Sequence, residues 1–124
     1  MPLVCPECKR PQLRVRKRLE MGPDARWDEN ALQLVGCSAC SFQGVACYQE
    51  SRRGGLDDEV VHHHGWVVPS NEYRRLSRVM ARCPKPGDRR CSCDAHKVLR
   101  GACRDLAAQY EESGCATFVI RYVR

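Results

Sequence analysis

Cys5-Pro6-Glu7-Cys8 and Cys37-Ser38-Ala39-Cys40 are the two stretches on which the rest of this chain is organised. Each Cys-x-x-Cys pair sits on a turn-prone segment, so its two thiolates converge on one point. Two such pairs separated by enough chain for a β-hairpin are what a tetrahedral four-thiolate zinc site needs. The spacing predicts a zinc ribbon over residues 1–50, with Cys5, Cys8, Cys37 and Cys40 as metal ligands.

Working outward, Leu13-Arg14-Val15-Arg16-Lys17-Arg18-Leu19 alternates as a strand. Strict alternation would place Leu13, Val15 and Leu19 on one face and Arg14, Arg16 and Arg18 on the other. Gly22-Pro23-Asp24 marks the hairpin turn, midway between the cysteine pairs. Ala31 to Val35 forms the return strand and Gln43 to Gln49 a third, giving a three-stranded antiparallel sheet.

A polar joint at Ser51-Arg52-Arg53-Gly54-Gly55 sets the boundary of a second segment, residues 51–124. Leu56 to His64 reads as a short helix capped by Asp57, with a strand through Val60-Val61 as the competing reading. Ser70 caps a helix to about Arg82, with Tyr73, Leu76, Val79 and Met80 as its apolar stripe and Arg74, Arg78 and Arg82 on another face. Asp94 caps a further helix to about Ser113, with Val98, Leu99, Ala102, Leu106 and Tyr110 inward. Cys115 to Val123 is a β-branched strand, apolar on both faces, which calls for cover such as a place beside the ribbon sheet. The expected fold class is therefore α+β: a ribbon followed by a mainly helical, zinc-stapled segment that ends in a strand.

The second candidate metal site is Cys83, Cys91, Cys93 and His96, three cysteines on a Pro/Gly-rich loop and a histidine in the next helix's first turn. This set is closed, with no vacant position for a substrate, and brings the expected zinc count to two. Reduced thiols, or a redox Cys91-x-Cys93 pair, are the competing readings. Cys47, Cys103 and Cys115 are left over and read as core side chains. His62-His63-His64 reads as a solvated turn, since three consecutive side chains cannot converge on one ion in regular structure.

Ten cysteines in 124 residues would mean disulfides in a secreted chain. No apolar signal segment precedes Cys5, and no run approaches the length of a membrane span. The chain reads as cytoplasmic and reduced, with no membrane partner and no small-molecule substrate evident. The formal charge of +6 is mild and spread along the sequence, so it permits nucleic acid without selecting it. The best nucleic-acid features are Arg14, Arg16 and Arg18, repeating on the scale of phosphate spacing, together with Arg74, Arg78 and Arg82.

Residues 5–47 resemble the C-terminal zinc ribbon of transcript-cleavage elongation factors and the related small RNA-polymerase subunits. The matching features are Cys5/Cys8, Cys37/Cys40, the acidic pair Asp28-Glu29 and the extra cysteine Cys47. The resemblance implies that Asp28 and Glu29 would help hold a catalytic magnesium ion in a polymerase active centre. The hairpin turn at Gly22-Pro23 instead leaves them partway down the return strand.

These observations lead to the expectation of a non-enzymatic zinc-binding adaptor or regulator. Its partner would be nucleic acid or a component of the transcription or translation machinery. The alternatives are a protein–protein adaptor using the C-terminal strand, a polymerase helper acting through Asp28/Glu29, or an enzyme with a histidine-lined site near His62 to His64.

Overall fold

The computed structural model describes residues 2–52 and 60–122. Seven strands form one sheet in the order β6-β5-β4-β3-β2-β1-β7. They are β1 (Leu3–Val4), β2 (Leu13–Glu20), β3 (Glu29–Cys37), β4 (Gln43–Ser51), β5 (Val60–Trp66), β6 (Thr117–Val119) and β7 (Arg121–Tyr122). Three helices accompany them: α1 (Ser70–Ala81), α2 (Asp94–Val98) and α3 (Ala102–Glu112).

The three expected ribbon strands are present, but β4 continues to Ser51 and pairs along its length with β5. The sheet therefore runs across the boundary expected at residue 50. The C-terminal strand does join the sheet, and at both of its ends. Its first half, β6, pairs with β5, and its second half, β7, pairs with β1. One strand divided at Ile120 thus curls the sheet into a nearly closed barrel.

The expected alternation in β2 is broken by a bulge between Val15 and Lys17. One extra residue reverses which side chains share a face. Leu13 pairs with Cys37 and Val15 with Val35, whereas Lys17 pairs with Leu34 and Leu19 with Leu32. Leu13 consequently lies on the inner face with Val35, Cys37, Ala46 and Ile120. Leu19 lies on the outer face with Leu32, Leu34, Val45 and Trp66, packed under all three helices. Of the apolar triplet, Leu13 and Leu19 thus enter different cores and Val15 is left exposed, and Arg18 shares the inner face with Gln33 rather than a row with Arg14 and Arg16.

Close approach governs the inner wall. A side chain at Gly44 would start 2.8 Å from the Phe118 ring, and one at Gly65 would strike that ring and the carbonyl oxygen of Val45. Phe118 occupies this space edge-on to Phe42, with ring centroids 5.2 Å apart.

Helix α1 begins at Ser70, but its cap position is Pro69 and no side chain caps it. Leu76 and Met80 are buried as the stripe requires, and Tyr73 and Val79 pack partly against the same core. The single helix expected over 94–113 is two, broken at Leu99 to Gly101, where Gly101 takes φ 71°. That break turns Val98 out to 65% exposure, contrary to its expected inward position, while Leu99, Ala102, Leu106 and Tyr110 are buried. The Tyr110 hydroxyl donates to Glu72 at 2.5 Å, tying α3 to α1.

Val60 to His64 is strand, not helix, and the remainder of that expected helix (56–59) lies outside the described residues. The three histidines accordingly alternate across a strand rather than forming a solvated turn. His62 and His64 face outward toward Trp27 and Trp66, at 4.9 and 5.1 Å between ring centroids. His63 points inward, where its Nε2 lies 2.6 Å from the Gln33 amide oxygen and its Nδ1 3.3 Å from the Tyr122 hydroxyl. No helix among the described residues is long and apolar enough to cross a membrane.

Two outcomes follow from this interior. Gly65→Ala forces its new methyl into backbone, so urea unfolding should show a loss on the order of 1–3 kcal/mol. Burial, aided by the Arg18 charge, holds His63 down to about 4, so the folded state keeps the neutral imidazole. The unfolded chain binds the extra proton below its ordinary value near 6.5, so this contribution is lost as pH falls from there toward 4. Wild type should therefore lose stability over that window more steeply than His63→Gln, by up to about 1.4 kcal/mol per pH unit. Equal slopes for the two proteins would refute the assignment.

Candidate metal centres

The first cluster is built from two matched knuckles. The Cys5 amide donates to the Arg10 carbonyl at 2.8 Å, and the Cys37 amide donates to the Phe42 carbonyl at 2.9 Å, each five residues ahead. Lys9 closes the first turn in a left-handed conformation, φ 67°. The Ala39 and Phe42 amides point at the sulfurs of Cys37 and Cys40, at 3.3 and 3.4 Å. The Cys5 and Cys40 sulfurs lie 3.7 Å apart, as do those of Cys8 and Cys37. All four donor atoms fall within 4.8 Å of one another.

Cys83, Cys91, Cys93 and His96 form the second cluster under the same limit. Cys83 follows the last turn of α1, Cys93 is the cap residue of α2, and His96 lies in that helix's first turn. The Nδ1 of His96 sits 3.3 Å from the sulfurs of both Cys83 and Cys93. Its Nε2 is 2.9 Å from the Glu20 carbonyl oxygen, which fixes the ring and leaves Nδ1 for the ion. The loop is further tied to the sheet by the Glu20 amide, which donates to Pro86 at 2.9 Å.

Thiol acidity is divided within each cluster, as expected of closely coupled sulfurs. The His96 imidazole brings Cys93 down to about 6, whereas burial pushes Cys83 up to about 11. In the first cluster burial raises Cys5. At Cys37 burial acts in the same sense, but the amides of Ala39 and Cys40 prevail and bring it down to about 7. Each set offers four thiolate or imidazole donors and no water position, so the residues fit a closed, tetrahedral structural ion.

No family model, curated protein or solved structure matches this chain. The site is therefore interpreted from its own chemistry. Both cysteine clusters stand where their spacing predicts. Cys115 is half-buried against the outer core, as a packing residue. Cys47 and Cys103, expected to be reduced core thiols, are joined by a disulfide from β4 to α3. The bond corrects the reading of a wholly reduced chain.

The arginines separate. Arg14, Arg74, Arg78 and Arg82 are exposed. Arg16 lies over Gly36, donates to the Cys37 carbonyl at 3.2 Å and meets Tyr73 of α1. Arg18, on the inner face, pairs with Glu20 at 2.5 Å and covers the Tyr48 ring. Lys17, which the alternation pattern passed over, takes Arg18's expected place outside and donates to the Ser77 carbonyl of α1 at 3.0 Å. Asp28 lies in the connection before β3 and Glu29 opens that strand, so the pair is nearer the hairpin end than expected. The Asp28 carboxylate accepts from the Arg52 amide at 2.7 Å.

Elemental analysis and native mass spectrometry of purified protein should find two metal ions per chain. Cys93→Ser should reduce the count to one and loosen the 83–96 loop with α2, leaving the first knuckles intact. An unchanged count would remove the second cluster as a metal centre.

Proposed function

We propose that this chain is a non-enzymatic, two-zinc binding module that docks on nucleic acid. Zinc is favoured over other divalent ions because both donor sets are sulfur-rich and closed, and such sites contribute directly to folding. All donors are committed to holding structure, which supports a binding role over a catalytic one. The same closure is what the resemblance to polymerase-associated zinc ribbons implies for Cys5, Cys8, Cys37 and Cys40. The engaged carboxylate of Asp28 weakens the part of that resemblance that would have the acidic pair hold magnesium.

The observation that carries the nucleic-acid reading is the distribution of charge on the outer face. The bulge places Arg14, Arg16 and Lys17 together there, beside α1, whose Arg74 and Arg78 are exposed. Among the described residues none of these five is in an ion pair, whereas Arg18, Arg52, Arg75 and Arg104 all are. Unpaired cations gathered on one surface release counterions from a phosphate backbone when they bind it.

Fluorescence anisotropy with a short labelled single-stranded oligonucleotide, titrated at several salt concentrations, tests this reading. Affinity should fall steeply with salt. The triple variant R14Q/R74Q/R78Q should flatten the log–log slope by about 0.7 for each phosphate contact removed. A control at ion-paired, exposed Arg104 should leave the slope unchanged. Salt-independent binding, or none, would reject nucleic acid as the partner and favour the protein-adaptor reading.

A further inference from the structure

The seam where the sheet closes contains a cleft. Residues 116 and 120 bond to Val67, just past β5, and to His63 within it, so the intervening alternation directs the backbone groups of Thr117 and Val119 the other way. There they face the first cysteine knuckle across a cleft of about 530 Å³. That volume lies within the range of small-ligand sites. Lys9, Arg121, His64 and Thr117 line it with Val4 and Val119, and among the described residues no carboxylate does.

The register shows how these side chains converge. Val119 pairs with His64 and Thr117 with Trp66, so all of these share the outward face of the sheet. Arg121 pairs with Val4, and both lie outward because neighbouring Leu3 is in the inner core. Two cations, a hydroxyl, an imidazole and two strand amides thus bound one concavity. That is the composition of an oxyanion site.

We propose that this seam cleft binds a phosphate group of a polynucleotide. Lys9 and Arg121 supply the charge, while the Thr117 hydroxyl and the amides of Thr117 and Val119 supply directed donors. The inference rests on the nucleic-acid reading for its polymer, but not for its phosphate. Arg121 on β7 and Arg14 on β2 flank β1 on the same outward face, so the cleft extends the basic surface that ends at α1. Four thiolates around a bound Zn²⁺ would give the first cluster a net charge of about −2 beside the cleft, which opposes a free anion. A phosphate already held along the arginine surface is therefore the favoured occupant, ahead of inorganic phosphate or a free nucleotide.

The test uses the full zinc-loaded chain labelled with ¹⁵N. Amide shifts are followed while a twelve-residue oligothymidylate, or separately inorganic phosphate, is added to wild type and to K9Q/R121Q. Zinc content and far-UV circular dichroism of the variant serve as the folding check. Thr117 and Val119 should move with the oligonucleotide at far lower concentration than with phosphate. The variant should lose those shifts, retain the shifts around Arg74 and Arg78, and bind about tenfold more weakly at moderate salt. Oligonucleotide binding that leaves Thr117 and Val119 unmoved in wild type would overturn the cleft while preserving the nucleic-acid reading. Phosphate moving them with no oligonucleotide binding would overturn the polymer and keep an anion site. If neither ligand moves them, the cleft proposal fails.

Discussion

One extra residue in β2 is the constraint on which this architecture depends. A regular strand over 13–20 would have turned Leu13 and Leu19 to the same side and left the sheet with one apolar face. The bulge between Val15 and Lys17 sends Leu13 inward and Leu19 outward, so the strand contributes to both cores. Burying each leucine is worth on the order of 1.5–3 kcal/mol, and neither could be gained without exposing the other in an unbroken ladder. A two-sided sheet in turn needs two covers: the curl of the C-terminal strand inside and the three helices outside.

The metal clusters follow the same division. The first is continuous with the inner core through Cys5 and Cys37, and the second with the outer core through Cys83. They stand at opposite ends of β2, one beside the knuckles that precede Leu13 and the other bonded to the carbonyl of Glu20. The Cys47–Cys103 disulfide lies between them, buried in the outer core, where it joins sheet to helix. Metal ligands occupy loops and the ends of strands and helices, where backbone amides reach sulfur. The bridged cysteines occupy a strand and a helix, where the amides belong to regular structure and a thiol has little besides its neighbour to meet.

Legibility in the sequence followed the range of the interaction. Both cysteine clusters were readable because their spacing is local and turn residues surround them. The strands of the first hairpin and helix α1 were readable from period alone. Closure of the sheet was not, because pairing of β6 with β5 and of β7 with β1 joins segments more than fifty residues apart or at opposite ends of the chain. Its one trace was a final segment apolar on both faces. The bulge was hidden because Arg16 and Lys17 are both cations, so a shifted register leaves the polar pattern looking regular. The Glu20 carbonyl that orients His96 is a backbone atom, and no side-chain motif records it. The break at Gly101 had a visible glycine, but the apolar spacing carried straight through it and argued for one helix.

The inner and outer faces also show why formal charge was a weak guide. Arg18 and Arg52 are as basic as Arg14 and Arg78, yet Arg18 meets Glu20, and Arg52 meets a Glu50 that is itself buried beside Tyr48. Those charges are neutralised within the fold and have little field left to offer a partner. Among the described residues the outer-face cations have no such acid partners, because the bulge pairs Lys17 with Leu34 and leaves Arg14 and Arg16 beside Gly36. A net charge of +6 counts both groups alike. The proposed phosphate partner would meet the set left unpaired among the described residues, and a single inserted residue determines which arginines belong to it.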